Sequence, residues 1–302
     1  MTSALYKAKQ FLEPTVKVGI LVLSTYFIYS QWKEQELQFS SLLDQLNLLP
    51  LWLVPCMLLI SLGSWLIESR KWQFLTMDLK EIRFRESVIQ NLIAQAASFI
   101  TPWRVGEFAT KAFYFSTHLR KSIFKRVLIG NLSQMSITVV LGALGAAICF
   151  PAVLASDQTW WWMIWIVPII GALLYLRYWE KVRHTWLNPQ VWPKSLGYSL
   201  LRYLVFSSNW WLMFYLMDAD ASFTMQISYL SVFYLLTSLI PVFQWLDISV
   251  KWTAAILIFP PSFLPTDSLL LITSLIWCTN TIFPTLVGCL LLVSTPSNNQ
   301  NP

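Results

Sequence analysis

The chain has 302 residues, of which 56% are hydrophobic and only 12% are charged. A soluble domain carries about 25% charged residues, so the composition excludes an ordinary soluble globular protein. The net charge of +6 does not indicate nucleic-acid binding, because the cations lie beside the ends of hydrophobic segments, as orientation signals do. The apolar stretches have helix length and lack the short alternating pattern of a barrel, so we predict an all-α integral membrane protein.

Six apolar segments approach or exceed the roughly 20 residues that a helix needs to cross about 30 Å of hydrocarbon. They cover residues 16–32, 50–68, 122–150, 160–178, 196–217 and 268–293. The first segment is followed by Gln31-Trp32-Lys33-Glu34 rather than by a small-residue cleavage site. We therefore expect it to remain as a membrane anchor.

The loops between these segments alternate in charge. Cations cluster before the first segment, at 69–85, at 120–126 and at 177–194. The intervening loops at 33–44, 151–159 and 218–220 are dominated by acidic residues or lack cations. By the positive-inside rule, we predict a multi-pass protein of the cytoplasmic (inner) membrane with both termini in the cytoplasm.

Two further segments, 86–118 and 223–260, are too long for loops and are interrupted by Pro102 and Pro241. Beyond each proline, an acidic residue is followed four positions later by lysine, as Glu107–Lys111 and Asp247–Lys251. Such i,i+4 residues form ion pairs on a helix. Proline frees backbone carbonyls, which are tolerated at membrane depth only when they are buried in protein or line a wet cavity. We therefore predict two proline-broken re-entrant hairpins.

This order of segments predicts inverted repeats within a single membrane domain, 1–302. Two spans, a hairpin and one span occupy 16–150, and the same order recurs over 160–293, before a polar tail at 294–302. Because each unit crosses the membrane three times, the second unit is upside down relative to the first. Many transporters build alternating access from inverted repeats whose broken helices meet near the bilayer midplane.

Residues 100–108 read Ile-Thr-Pro-Trp-Arg-Val-Gly-Glu-Phe, and Arg70 ends an earlier apolar segment. This arrangement resembles the transmembrane flippase domain of lysylphosphatidylglycerol synthases and its stand-alone relatives. The positions that match the family motif are Arg70, Pro102, Arg104, Gly106 and Glu107. The order of segments is similar to that of the family along most of the chain, and the residues that match its motif are concentrated at 101–107. The resemblance implies lipid translocation.

Two departures from the family pattern concern the elbows, by which we mean the short stretches around the two prolines. Trp103 stands where glycine is usual, and the second elbow has Trp245 and Asp247 where glycine and glutamate are expected. A bulky residue changes how closely a headgroup can approach the backbone, so the family's substrate is not carried over. Only residues 294–302 follow the last predicted span, so we expect no soluble lysyl-transfer domain.

Polar side chains beside the elbows are the candidate substrate-binding residues, because ionisable groups at membrane depth are costly unless paired or hydrated. Arg104 would bind a lipid phosphate, and Glu107 would either hold Arg104 or contact a cationic headgroup. The full set is Arg70, Pro102, Arg104, Gly106, Glu107, Lys111, Asn131, Gln134, Gln244, Asp247 and Lys251. Structural roles stay open as well: snorkelling of Arg70 and Arg202, surface ion pairs, and interhelical hydrogen bonds of the amides.

The sequence contains no phosphate loop, glycine-rich dinucleotide turn, zinc motif or nucleophile elbow. We therefore expect no ATP hydrolysis, no cofactor and no metal. The leading hypothesis is a non-enzymatic, flippase-like carrier for a polar-headed membrane lipid, aminoacylated or polyprenyl-linked. Two alternatives are a membrane enzyme acting on a lipid-linked substrate and a non-transporting partner of envelope biogenesis machinery. Homo-oligomer formation is also open.

Overall fold

The computed structural model describes residues 46–101, 104–150, 191–240, 243–244 and 246–294. The predicted spans at 16–32 and 160–178, the polar tail, and the elbow residues Pro102, Trp103, Pro241 and Trp245 lie outside these ranges. Within them the protein is all-helical, with no strand. The predicted fold class is thus confirmed at the level of an all-α protein.

Nine α-helices and one π-helical turn make up the described part of the chain. They are α1 (Leu53–Thr76), α2 (Phe84–Ile100), α3 (Val105–Phe113), α4 (Arg120–Cys149), α5 (Val191–Leu216), α6 (Phe223–Leu239), α7 (Asp247–Ile258), α8 (Thr266–Trp277) and α9 (Phe283–Ser294). The π turn, Cys278–Ile282, joins α8 to α9. The three elements form one continuous helical rod of 29 residues, Thr266–Ser294.

Three of these elements are long and apolar enough to cross a membrane: α1, α4 and the α8–α9 rod. They correspond to the segments predicted at 50–68, 122–150 and 268–293, and they indicate a membrane protein. Helix α5 corresponds to the segment predicted at 196–217 and has 26 residues, which is also long enough. It is less apolar than the other three, because serine, asparagine and tyrosine side chains interrupt its sequence.

Each proline-containing segment forms two helices joined by an elbow. Helices α2 and α6 both have 17 residues, and each ends two positions before its proline. Thr101 (φ −110°, ψ 140°) and Ile240 (φ −94°, ψ 106°) both have extended backbones. A following proline disfavours the helical conformation, which explains why both helices stop where they do.

The helices that lead into the elbows pack on distant helices. Helix α2 packs on α9, and α6 packs on α4, while α1 packs on α5. Glycines allow the close approach: a Cβ on Gly288 would lie 2.0 Å from the Leu92 carbonyl oxygen, and one on Gly145 would lie 2.6 Å from the Ser228 carbonyl oxygen. Small residues at such contacts are typical of helix packing in membranes.

An aromatic core fixes α5, α6 and α7 against one another. Trp210, Phe214, Phe233 and Phe259 are all buried, and the ring centroids of Trp210 and Phe233 are 4.9 Å apart. The Trp210 ring also stacks on Phe259 at 6.1 Å. This core holds the helices on both sides of the second elbow at a fixed distance from α5.

Gly288→Ala and Gly197→Ala should have opposite effects on stability. The alanine methyl at 288 would press on a backbone carbonyl, so we expect a loss of about 1–3 kcal/mol. Gly197 has open space around its Cβ position, so alanine there should stabilise α5 by about 0.5–1 kcal/mol. Thermal unfolding of the purified variants in detergent measures both. Equal melting temperatures would contradict the close α2–α9 contact.

Candidate functional site

Residues from both elbows line one cavity. Its larger part, which we call the polar lobe, has a volume of about 470 Å³ and is lined by α1–α5 together with the second elbow. Its polar wall consists of Glu68, Lys71, Asn91, Gln95, Arg104, Glu107, Asn131, Gln134, Arg202, Gln244 and Asp247. The helix that leads into the first elbow contacts the second elbow directly, because Gln95 Nε2 in α2 donates a hydrogen bond of 3.1 Å to Gln244 Oε1.

The smaller part of the cavity, the aromatic lobe, has a volume of about 300 Å³. It shares Trp65, Arg104, Arg202 and Asp247 with the polar lobe, so the two lobes adjoin each other. Most of the residues that line only the aromatic lobe belong to α5, α6 and the α8–α9 rod. The cavity therefore has one end rich in charge and another end rich in rings.

Two hydrogen bonds of the Thr101 hydroxyl hold the first elbow in place. Its hydroxyl donates to the Ala97 carbonyl at 2.8 Å and accepts from the Gly106 amide at 2.9 Å. A Cβ on Gly106 would lie 2.3 Å from the Ala97 carbonyl oxygen, so only glycine fits at this position. Arg104 has a left-handed backbone (φ 55°), which turns the chain into α3.

Glu107 is shared by two cations at the start of α3. Its Oε1 lies 2.9 Å from Lys111 Nζ, and its Oε2 lies 3.2 Å from Arg104 Nη2 and accepts from Asn131 at 3.4 Å. The side chains of Glu107 and Lys111 are only 6% and 3% exposed, whereas that of Arg104 is 43% exposed. The predicted Glu107–Lys111 pair is confirmed. Of the two cations that contact Glu107, Arg104 is the one that solvent or a ligand can reach.

A second carboxylate, Glu68 in α1, is also shared by two cations. Its Oε2 lies 2.8 Å from Lys71 Nζ and 3.0 Å from Arg202 Nη1. Lys71 further donates to the Gly130 carbonyl at 3.3 Å and to Ser199 Oγ at 3.4 Å. This triad was not predicted from the sequence. The one available signal was an acid and a lysine three positions apart near the end of an apolar helix.

The second elbow carries a simple ion pair. Asp247 Oδ2 lies 2.5 Å from Lys251 Nζ, which confirms the predicted i,i+4 pair. These side chains are 20% and 24% exposed, respectively, so they are less enclosed than Glu107 and Lys111. Asp247 lines both lobes, whereas Lys251 lines only the aromatic lobe.

Most of the predicted site residues lie together. Those that line the polar lobe are Arg104, Glu107, Asn131, Gln134, Gln244 and Asp247. Lys251 lines the aromatic lobe, Lys111 lies behind Glu107, and Gly106 lies within the elbow. Arg70 lies outside both lobes: it is exposed, donates to Gln73 and lies over the Phe84 ring at 5.8 Å. Pro102 is outside the described residues.

The charges of this site do not cancel. The cations that line the cavity or pair with its acids are Lys71, Arg104, Lys111, Arg202 and Lys251, and the acids are Glu68, Glu107 and Asp247. The cations exceed the acids by two, because each of two carboxylates serves two cations. Uncompensated charge inside a protein is costly, so an anionic occupant would offset this excess.

No family model matches the chain, and no curated protein is significantly similar to it. In the ranges that the structure describes, no three His, Cys, Asp or Glu side chains are grouped as metal ligands would be. What the cavity can bind is therefore inferred from its own hydrogen-bond donors and charged side chains. Arg104 combines an exposed guanidinium with a buried Nε that has no hydrogen-bond partner among the described residues.

Glu107→Gln should destabilise the protein much more than Asp247→Asn. The first change leaves the buried Lys111 ammonium without its carboxylate, which costs about 3–5 kcal/mol when a buried pair is broken. The second change affects a more exposed pair and should cost less. Chemical unfolding in detergent compares them. The double variant Glu107→Gln/Lys111→Met should recover part of the loss, and its failure to do so would contradict the assigned pairing.

Proposed function

We propose that this protein is a flippase-like carrier that moves the headgroup of a polar lipid between the leaflets of the cytoplasmic membrane. The observation that carries the proposal is the excess of two positive charges in a cavity lined by both elbows. A phosphate is the anionic group that polar membrane lipids share. The lipid is thus the substrate, and its headgroup neutralises the cavity during the passage.

The proposed membrane arrangement is an inverted repeat of six spans with two re-entrant hairpins, α2–α3 and α6–α7, which enter from opposite sides. Reciprocal packing supports it: α2 of the first unit packs on α9 of the second, and α6 of the second packs on α4 of the first. The equal lengths of α2 and α6 agree with the same symmetry. Two of the six spans fall at 16–32 and 160–178, and both termini are placed in the cytoplasm.

The resemblance to the flippase domain of lysylphosphatidylglycerol synthases is a second support. The motif residues Gly106, Arg104 and Glu107 have distinct local roles: close packing, an exposed cation, and a carboxylate that orients this cation. These roles suit the recognition of a lipid phosphate at an elbow. Aminoacylated and polyprenyl-linked lipids are the two classes considered for the substrate.

In the proposed mechanism, the headgroup enters the polar lobe while the acyl or prenyl chains remain in the bilayer. Arg104 binds the phosphate by charge-assisted hydrogen bonds, and Arg202, which lines the same lobe, contributes further positive charge. Glu107 keeps the Arg104 guanidinium oriented. Rocking of one repeat against the other exposes the lobe to alternate sides, and it breaks and remakes the Gln95–Gln244 hydrogen bond.

The pairing of the acids favours a carrier over an enzyme. General acid–base catalysis needs a carboxyl group whose proton is free to move to or from the substrate. Glu68 and Glu107 each pair with two cations, and Asp247 pairs with Lys251. Each of these three acids is therefore already paired with at least one cation. A purely structural partner protein would not need a charged cavity of this volume.

The proposal is tested by leaflet exchange of two fluorescently labelled lipids, an aminoacylated phosphatidylglycerol and a polyprenyl phosphate, in liposomes that contain the purified protein. Arg104→Ala should slow exchange about tenfold or more, because a hydrogen bond to a charged group contributes about 1.5–3 kcal/mol. Arg104→Lys should retain an intermediate rate, since it keeps the charge and loses the planar donor group.

Arg85→Ala is the matched control, because Arg85 is an exposed arginine of α2 that lies outside both lobes. It should exchange lipid at the parent rate. An unchanged rate in Arg104→Ala would overturn the assigned role of the cavity. Conversion of the lipid into a new product by the parent protein, detected by mass spectrometry, would favour the enzyme instead.

A further inference from the structure

The aromatic lobe is built differently from the polar lobe that would receive a phosphate. Its rings are Trp65, Tyr203, Phe206, Trp210, Phe233, Tyr234 and Trp277. Polar groups from α6 and from the α8–α9 rod lie among these rings, with Thr237, Thr273 and Asn280 in the same wall. The volume of about 300 Å³ is at the lower end of the range for small-molecule sites. The lobe thus combines flat apolar faces with uncharged hydrogen-bonding groups, beside the charged side chains of Arg104, Arg202, Asp247 and Lys251.

The π turn positions Asn280 at this lobe. Its wider helical turn leaves backbone carbonyls available: Ser61 Oγ lies 2.9 Å from the Thr279 carbonyl oxygen, and Trp65 Nε1 donates to the Asn280 carbonyl at 3.3 Å. Ser61 Oγ also lies 3.1 Å from Asn280 Oδ1. The amide oxygen of Asn280 is therefore engaged, and its Nδ2 donates to no other residue of the described part. Single π turns often occur at functional sites.

Three further polar atoms of the cavity wall have no hydrogen-bond partner among the described residues. They are Nε1 of Trp210, Nε1 of Trp277 and Oε1 of Gln134. These three atoms have almost no accessible surface, so they are buried within the wall and do not face the space of the cavity. The side-chain amide of Asn280, a partly exposed residue, is therefore the neutral donor that the lobe offers to a ligand.

The chemistry of the lobe selects among possible occupants. A hydrocarbon chain would offer no hydrogen-bond partner to Asn280 Nδ2. A cationic amine could lie against the rings, but Arg104, Arg202 and Lys251 line the same lobe against the one carboxylate of Asp247, and this net positive charge would repel the amine. A neutral ring with hydroxyl groups on its edge and C–H groups on its faces satisfies both the donors and the aromatic surfaces.

We infer that the aromatic lobe binds a sugar ring whose phosphate lies in the polar lobe, so that the translocated lipid is a glycosyl phosphate lipid. This inference rests on the proposed function for the place of the phosphate. Arg202 and Trp65 line both lobes, and the Arg202 guanidinium lies 5.3 Å from the centre of the Trp65 ring. They mark the junction where the sugar–phosphate bond would pass. Asn280 is the specificity residue, since it donates to a sugar hydroxyl.

The test is equilibrium binding, measured by calorimetry in detergent with two short-chain probes. One is citronellyl phosphate, and the other is the same phosphate esterified to glucose. The parent protein should bind the glucosyl probe about tenfold more tightly, since one or two additional net hydrogen bonds correspond to that factor. Asn280→Leu should lose most of this preference and keep its affinity for citronellyl phosphate, which also shows that the variant is folded.

Two other variants complete the design. Trp277→Leu, a second change in the lobe, should also reduce the preference, whereas Arg104→Ala should weaken both probes alike. Gln226→Leu is the matched control: this amide at the start of α6 donates to the Ala221 carbonyl and lies outside both lobes. It should bind both probes like the parent.

Equal affinity of the parent for the two probes would overturn the inference. An undiminished preference in both Asn280→Leu and Trp277→Leu would overturn it as well. The proposed function fails by a different result, namely the absence of leaflet exchange for any labelled phospholipid or glycosyl phosphate lipid. A glucosyl preference without exchange would keep the sugar site and reject the carrier.

Discussion

The structure depends on the way in which two buried carboxylates each neutralise two cations. Glu107 holds Arg104 and Lys111, and Glu68 holds Lys71 and Arg202. An isolated cation in a low-dielectric surrounding is prohibitively costly, so each lysine is placed directly against a carboxylate. Sharing one acid between two cations leaves one positive charge per triad. In the proposed function, this incomplete neutralisation attracts the lipid phosphate.

The backbone at the first elbow places one of these triads at the cavity wall. Thr101 bonds to both sides of the break, and Gly106 lets α3 approach the end of α2 more closely than any side chain would allow. Glu107 follows immediately and directs Arg104 toward the lobe. The charged site and the helix break are therefore one local structure, in which the geometry of the break sets the position of the charge.

The two lobes of the cavity divide recognition into two kinds of contact. Charge dominates the polar lobe, whereas rings and neutral donors dominate the aromatic lobe. The aromatic core around Trp210 and the π turn at Cys278–Ile282 fix the aromatic wall without contributing charge. A headgroup with an anionic part and an uncharged ring would match the order of these surfaces along the cavity.

The sequence by itself determined the helical class, three of the membrane-length helices, the ends of α2 and α6 and the two i,i+4 ion pairs. These features depend on residues within a few positions of one another. Only the tertiary structure brought Gln95 to Gln244 and Glu68 to Arg202, which are 149 and 134 positions apart. Arg70 and Lys71 show the same limit: successive residues point about 100° apart around a helix. The packing of α1 against α4 and α5 decides that Lys71 lines the cavity and Arg70 does not. This packing depends on residues far from α1 in the sequence.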